Sequence, residues 1–108
     1  MIKRIKRRYL ALNLENQQPF NEQEAMKAID SSILKLFGEY GASKADLRLI
    51  KTDPEKNQLT IRCSHLMLEK VRAAIALTTE VAGRPAAIHV VNVSGTLKSL
   101  AKKTTKNE

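Results

Sequence analysis

Between Arg7 and Leu14 the side chains alternate in a fixed phase, with Leu10, Leu12 and Leu14 on one side and Tyr9, Ala11 and Asn13 on the other. That two-residue period belongs to a half-buried β-strand. The chain then switches between it and the 3.6-residue period of a helix, and the order of the switches restricts the fold. Residues 17–21 form a polar link containing Pro19. Asn21 follows as a helix N-cap, with Glu24 three residues on as in a capping box. Ala25, Ile29, Ile33, Leu36 and Phe37 recur at spacings of four, four, three and one. They make a single apolar stripe along a helix of about four to five turns. Gly38 and Gly41 supply its stop.

Residues 47–51 read as a second strand and Asp53-Pro54-Glu55-Lys56-Asn57 as a turn. Over residues 58–64 the alternation returns, with Leu59, Ile61 and Cys63 facing one way and Gln58, Thr60, Arg62 and Ser64 the other. Residues 66–81 predict an alanine-rich helix that buries Met67, Val71, Ala74 and Ile75, ended by Gly83-Arg84-Pro85. Residues 87–93 form the last strand. A short final helix over 97–103 takes Ser94 or Thr96 as its cap, with Gly95 turning the chain. The order β-α-β-β-α-β is the split βαβ arrangement. The expected fold is therefore α+β, a ferredoxin-like (RRM-like) sandwich with a short C-terminal helix. Right-handed crossovers put the first and third strands at the centre and both helices on one face.

A chain of 108 residues supports a single hydrophobic core. The expectation is one domain over 1–108, with a basic arm 1–8, an α/β body 9–93 and a basic segment 94–108. No run of about 18 apolar residues is present, and the apolar stretch behind the basic start is too short and polar for a signal peptide. A single cysteine, Cys63, excludes an internal disulfide and a multi-thiolate zinc site. Together these features point to a cytoplasmic protein without a membrane partner.

The net charge of +8 is concentrated at the ends. Lys3, Arg4, Lys6, Arg7 and Arg8 fall within the first eight residues, and Lys98, Lys102, Lys103 and Lys106 follow residue 97 against Glu108 alone. Residues 9–97 hold ten basic and ten acidic side chains, leaving an excess of five at one end and three at the other. A neutral body with two cationic ends suits a polyanionic partner. The competing explanation is a pair of lysine-rich tails that serve solubility.

Nothing in the sequence gathers the groups that autonomous catalysis needs. Metal-dependent hydrolysis requires convergent carboxylates, and covalent catalysis a nucleophile beside a base. The acidic residues are scattered over helix surfaces and turns, mostly with basic neighbours. Asp53 and Glu55 share a turn, where such residues serve local hydrogen bonding. Cys63 falls on the inward face of a central strand, which favours a structural thiol over a nucleophile. His65 follows that strand, as a capping candidate for the second helix, and His89 lies within the last strand. Neither comes with a partner cysteine or carboxylate. Gly38 and Gly41 lack the lysine and serine of a phosphate loop.

The RRM-like strand order raises the question of base stacking, which needs aromatics on the two central strands. Only Tyr9 suits that role, and the matching third-strand position holds Arg62. Phosphate and shape contacts are the better expectation. Arg62 reads equally well as an RNA contact or as a solvated arginine lying over apolar surface.

Several segments, in order, resemble the ribonuclease P protein component 2 family, the Pop5-type subunits of archaea and eukaryotes. They are Lys6-Arg7-Arg8-Tyr9-Leu10, the Leu36-Phe37-Gly38-Glu39-Tyr40-Gly41-Ala42 turn, Ile61-Arg62-Cys63, Val71-Arg72-Ala73-Ala74-Ile75-Ala76-Leu77 and Val93-Ser94-Gly95-Thr96-Leu97. The resemblance implies a protein subunit of an endoribonuclease that removes 5′ leaders from precursor tRNA. It implies no cofactor in the protein, with Mg2+ at the catalytic RNA that carries the chemistry. The implied partners are ribonuclease P RNA, precursor tRNA through the holoenzyme, and protein component 3, in a two-plus-two heterotetramer. On this basis Lys3, Arg4, Lys6, Arg7, Arg8, Arg62, Arg72, Lys98, Lys102 and Lys103 are the RNA-binding candidates. Phe37 and Tyr40 are the partner-binding candidates, against the simpler view that Phe37 closes the core and Gly38 ends its helix. Two other functions compete: a general or ribosome-associated RNA-binding protein, and a regulatory ferredoxin-like domain binding a small molecule. The first would not promote precursor cleavage by ribonuclease P RNA. The second would show thermal stabilisation by its ligand.

Overall fold

The computed structural model describes residues 6–15 and 21–106, with side chains through residue 101. Residues 1–5 and the 17–20 part of the polar link, Pro19 included, lie outside the described residues. In chain order the elements are β1 (Arg7–Glu15), α1 (Glu22–Ala45), β2 (Arg48–Asp53), β3 (Gln58–Ser64), α2 (Leu68–Ala76), β4 (Glu80–Val81), β5 (Arg84–Pro85), β6 (Ala87–Ser94) and α3 (Leu97–Lys106). Four strands make an antiparallel sheet in the order β2-β3-β1-β6, so the first and third strands are central. This is the ferredoxin-like α+β arrangement that the periodicities predict.

The inward residues of the two central strands carry the core. Leu10, Leu12 and Leu14 of β1 and Leu59, Ile61 and Cys63 of β3 pack against Ala25, Ile29 and Ile33 of α1 and Val71, Ala74 and Ile75 of α2. None of the twelve is more than 1% exposed. Each large aliphatic among them contributes roughly 1.5–3 kcal/mol by leaving water. Asn21 caps α1 as its sequence suggests, its Oδ1 accepting from the Gln23 and Glu24 backbone N–H groups at 2.9 and 3.2 Å.

Four details depart from the sequence reading. Gly38 interrupts α1 (φ 74°, ψ −179°), but the helix resumes to Ala45 instead of stopping at Gly41. Ala45 is buried, so this second segment has apolar surface to cover. Leu36 is 44% exposed and leaves the stripe. Each four-residue step advances a helical stripe by about 40°, and the core follows Ile29, Ile33 and Phe37 around, leaving Leu36 behind.

The second helix is shorter than residues 66–81. A 3₁₀ turn (His65–Met67) precedes it, with Ser64 Oγ accepting from Leu66 N–H at 3.4 Å, and it ends at Ala76. The Thr78 hydroxyl donates to the Ala74 carbonyl at 2.8 Å and accepts from the Ser32 hydroxyl at 2.7 Å. Residues beyond it form the β4–β5 hairpin, turned by Ala82 (φ 55°) and Gly83 (φ 78°). Two successive positive φ angles match the right-handed twist of a tight hairpin.

Ala11 points away from α1 and α2, as its alternation requires, yet it is only 5% exposed. The cause is α3, which folds back over that face and buries Leu100 (3% exposed) against β1 and β6. Thr96 Oγ1 caps α3 by accepting from Ser99 N–H at 3.1 Å. Both edge strands carry a bulge, at Ile50 in β2 and Val91 in β6. Among the described residues, no helix is long and apolar enough to cross a membrane.

Candidate nucleic-acid interface

The sheet face turned away from α1 and α2 has two parts. α3 lies over the part near Ala11 and Thr60. Beside it runs a groove of about 560 Å³, bordered by Lys51, Lys56 and Lys98, by Asp53, and by Ile50, Leu97 and Leu100. The other part, at the start of β1 and the end of β3, carries a two-row array. Register aligns Arg48, Arg62, Tyr9 and Ser94 across the four strands, and pairs Arg7 with Ser64 in the next row. Alternation on each strand puts these residues on one face.

Asp46 completes the second row. It is the left-handed residue that ends α1 (φ 47°), and its carboxylate lies between two guanidinium groups. Arg7 Nη2 is 3.6 Å from one oxygen and Arg48 Nε is 3.7 Å from the other. Arg62 Nε is enclosed without a hydrogen-bond partner among the described residues. A buried polar atom left unpaired costs on the order of 1–3 kcal/mol unless a ligand or solvent meets it.

The structure places the sequence-derived candidates unevenly. Lys3 and Arg4 lie outside the described residues, as do the side chains of Lys102 and Lys103 on α3. Lys6 is exposed, and its carbonyl accepts from His65 N–H at 2.9 Å with His65 Nδ1 at 3.1 Å. His65 thus tethers the start of β1, while Ser64 caps the turn before α2. Arg8 Nη1 donates to the Arg7 carbonyl at 3.2 Å and stands 3.6 Å from where a Cβ on Gly95 would be. Arg8 therefore lies beside the turn that follows β6. α3 turns back over the sheet, so Lys98 borders the groove with Lys51 and Lys56. Arg72 is exposed on α2, in the opposite layer from Arg62.

Phe37 packs at the edge of the core beneath Lys70, whose Nζ is 5.7 Å from the ring centre. Tyr40 is 76% exposed, with Lys44 Nζ 5.1 Å above its ring. Such cation–π pairs contribute about 0.5–1 kcal/mol at exposed sites. Of the two partner-binding candidates, Tyr40 is the one with substantial exposed surface.

No group of three or more histidine, cysteine, aspartate or glutamate side chains converges among the described residues. His89 Nε2 and Glu15 form an isolated surface pair at 3.5 Å. Cys63 is enclosed, and burial pushes its thiol up from 9.0 to about 11 despite the opposing charge of Arg8. A thiol in that state is a poor nucleophile at neutral pH.

The sequence model of the Rpp14/Pop5 family matches residues 8–105. The chain belongs to that family. Ribonuclease P protein component 2 of Methanosarcina mazei is 34% identical over 105 residues, covering 97% of this chain and 89% of the relative. The proteins of that name from Methanosarcina acetivorans and Pyrococcus furiosus are each 36% identical, covering 96% and 93% of this chain and 77% and 83% of theirs. A chain in a cryo-EM structure of yeast ribonuclease MRP superposes with a TM-score of 0.68 at 12% identity, covering 99% of this chain and 97% of that one. At that identity the likeness concerns the fold.

In this Rpp14/Pop5 chain, sequence reading missed Arg48, Asp46, Lys51 and Lys56 as members of the cationic face. Arg48 and Lys51 fall on the expected second strand and Lys56 in the expected turn, but neither the role of Asp46 at the end of α1 nor the β2–β3 register that sets Arg48 opposite Arg62 was legible.

Proposed function

We infer that this chain is the component 2 protein subunit of a ribonuclease P, acting with the catalytic RNA in removing 5′ leaders from precursor tRNA. The observation that carries this reading is likeness over nearly the whole chain to relatives that bear the component 2 name. The arrangement of charge supports it. Arginines and lysines gather on one sheet face.

In this reading the RNA performs hydrolysis with Mg2+ that it binds itself, and the protein holds no cofactor. Cationic side chains neutralise backbone phosphates and so reduce the repulsion that opposes compaction of the RNA. Protein component 3 is the protein partner, in a two-plus-two assembly, with Tyr40 offering an exposed anchor. The complex works in the cytoplasm.

Reconstitution tests the reading. Full-length protein, component 3 and ribonuclease P RNA should together cleave precursor tRNA at a Mg2+ concentration where the RNA alone is slow. The protein alone should cleave nothing. Tight RNA binding without stimulation of cleavage would indicate a general RNA-binding protein instead.

A further inference from the structure

The second part of the sheet face carries more than the two basic ends explain. Arg48 and Arg62 are direct cross-strand partners, a position where like charges repel. Arg7 joins them through Asp46, which contacts both Arg7 and Arg48. Three guanidiniums against one carboxylate leave a net charge of +2 in two adjacent rows of the sheet. Among the described residues Asp46 pairs with two of the three arginines, and Arg62 Nε is enclosed without a hydrogen-bond partner. A cluster of this kind is short of anionic acceptors. The guanidinium fork suits phosphate oxygens, which accept two N–H bonds at once.

We propose that Arg7, Arg48 and Arg62, spaced by Asp46, form a phosphodiester clamp that grips the backbone of the RNA across strands β1, β3 and β2. The inference rests on the RNA-binding reading above and adds a site to it. Its position is set by the fold. Neighbouring strands are about 4.8 Å apart, so a backbone crossing them meets Arg7, Arg62 and Arg48 in succession. α3 covers the adjoining part of the face and confines the RNA to the end where the arginines stand. Asp46 has two effects. It ties Arg7 and Arg48 to one carboxylate, and its charge competes with the phosphate for both.

That competition separates a clamp from a structural salt-bridge network. The test is equilibrium binding of full-length protein to ribonuclease P RNA over a salt series, with Arg48→Ala/Arg62→Ala, Arg62→Lys and Asp46→Asn beside the parent. Loss of two contacts should weaken binding by on the order of tenfold and reduce the salt slope by about 1.4 to 1.8 units. Arg62→Lys should keep the slope but recover only part of the affinity, because an ammonium is a point charge without the fork. Asp46→Asn should tighten binding, since it raises the cluster charge from +2 to +3 and keeps the side-chain shape. If the arginines served structure alone, Asp46→Asn would weaken binding or leave it unchanged. Either result would overturn the clamp, as would an unchanged slope in a double variant with native circular dichroism. Cleavage assays keep the two ideas apart. A parent protein that fails to stimulate cleavage counts against the ribonuclease P reading. The slope and the sign of the Asp46→Asn effect decide the clamp in either case.

Discussion

Gly41 stands directly over Phe37, so that a Cβ on Gly41 would lie 2.5 Å from the Phe37 Cβ. Residues four apart in a regular helix do not crowd in this way. The closeness follows from the break at Gly38, whose φ of 74° and ψ of −179° lie in a region essentially restricted to glycine. Gly38→Ala should therefore cost about 1–3 kcal/mol through backbone strain. Gly41→Ala should cost a similar 1–3 kcal/mol because neither Cβ can swing aside. The double variant should cost less than the sum, since both glycines serve one kink. Urea unfolding of the three variants measures this, and parental stability for Gly41→Ala would show that the crowding is relieved at little cost.

Cys63 gives a pH prediction. Its folded thiol titrates near 11, above the ordinary value of 9.0, because burial disfavours the thiolate. The unfolded chain therefore loses this proton first as pH rises. The stability associated with the neutral thiol is complete below pH 9 and declines between 9 and about 11. Cys63→Ser should lose that decline. It should also cost about 1–3 kcal/mol at neutral pH by placing a hydroxyl in an apolar site, while leaving precursor processing intact. Denaturant melts at pH 7 and pH 10 separate the effects. An equal decline in the serine variant would assign the pH dependence to other groups.

Among the described residues, Leu100 buries α3 against the sheet and Thr96 caps its first turn. Leu100→Ala should remove roughly 2 kcal/mol of local stability, at the low end for a buried leucine because the helix can lift away. Thr96→Ala should remove about 1 kcal/mol by leaving Ser99 N–H uncapped. The losses should appear as faster amide exchange in α3 and around Ala11 and Thr60, with the inner core protected as before. Uniform loss of protection throughout the sheet would mean that α3 belongs to the same cooperative unit as the core.

Much of this architecture can be read from residue periodicity. Alternation of Leu10, Leu12 and Leu14, and of Leu59, Ile61 and Cys63, identifies both central strands and their inward faces. Local signals failed where a second layer intervened. Ala11 and Thr60 read as residues of an open face, but they are covered by a helix whose docking depends on Leu100. Gly38 and Gly41 read as a stop because glycine marks both helix ends and kinks, and only Ala45 further along reveals which applies. Thr78 and Thr79 sit in an alanine-rich stretch, and the β-branched pair with Gly83 gives a hairpin in place of the last five residues of the expected helix. For the candidate site, the charges at the ends were visible from counting. Arg48 and Asp46 were not, because a pairing across strands is a property of register.

The last prediction concerns the two basic ends. In the sheet order β2-β3-β1-β6, Tyr9 pairs with Ser94, which places the start of β1 beside the end of β6. Arg8 near Gly95 shows how close the two segments come. Arg7 and Ser94 therefore stand at the same end of the sheet. If both ends bind RNA through phosphates, each contact should contribute about 0.7 to 0.9 units of salt slope. Alanine at Lys3, Arg4 and Lys6 should flatten the slope, and so should alanine at Lys98, Lys102 and Lys103. Combining the sets should add the two reductions, because phosphate contacts at separate side chains release counterions independently. Stability should change by no more than about 0.5 kcal/mol for exposed positions, and α3 should persist because alanine favours a helix. Binding of ribonuclease P RNA from low to moderate salt measures the slopes, and thermal melts check the fold. If the combined variant keeps the parental slope, the charge excess at the two ends serves solubility rather than RNA.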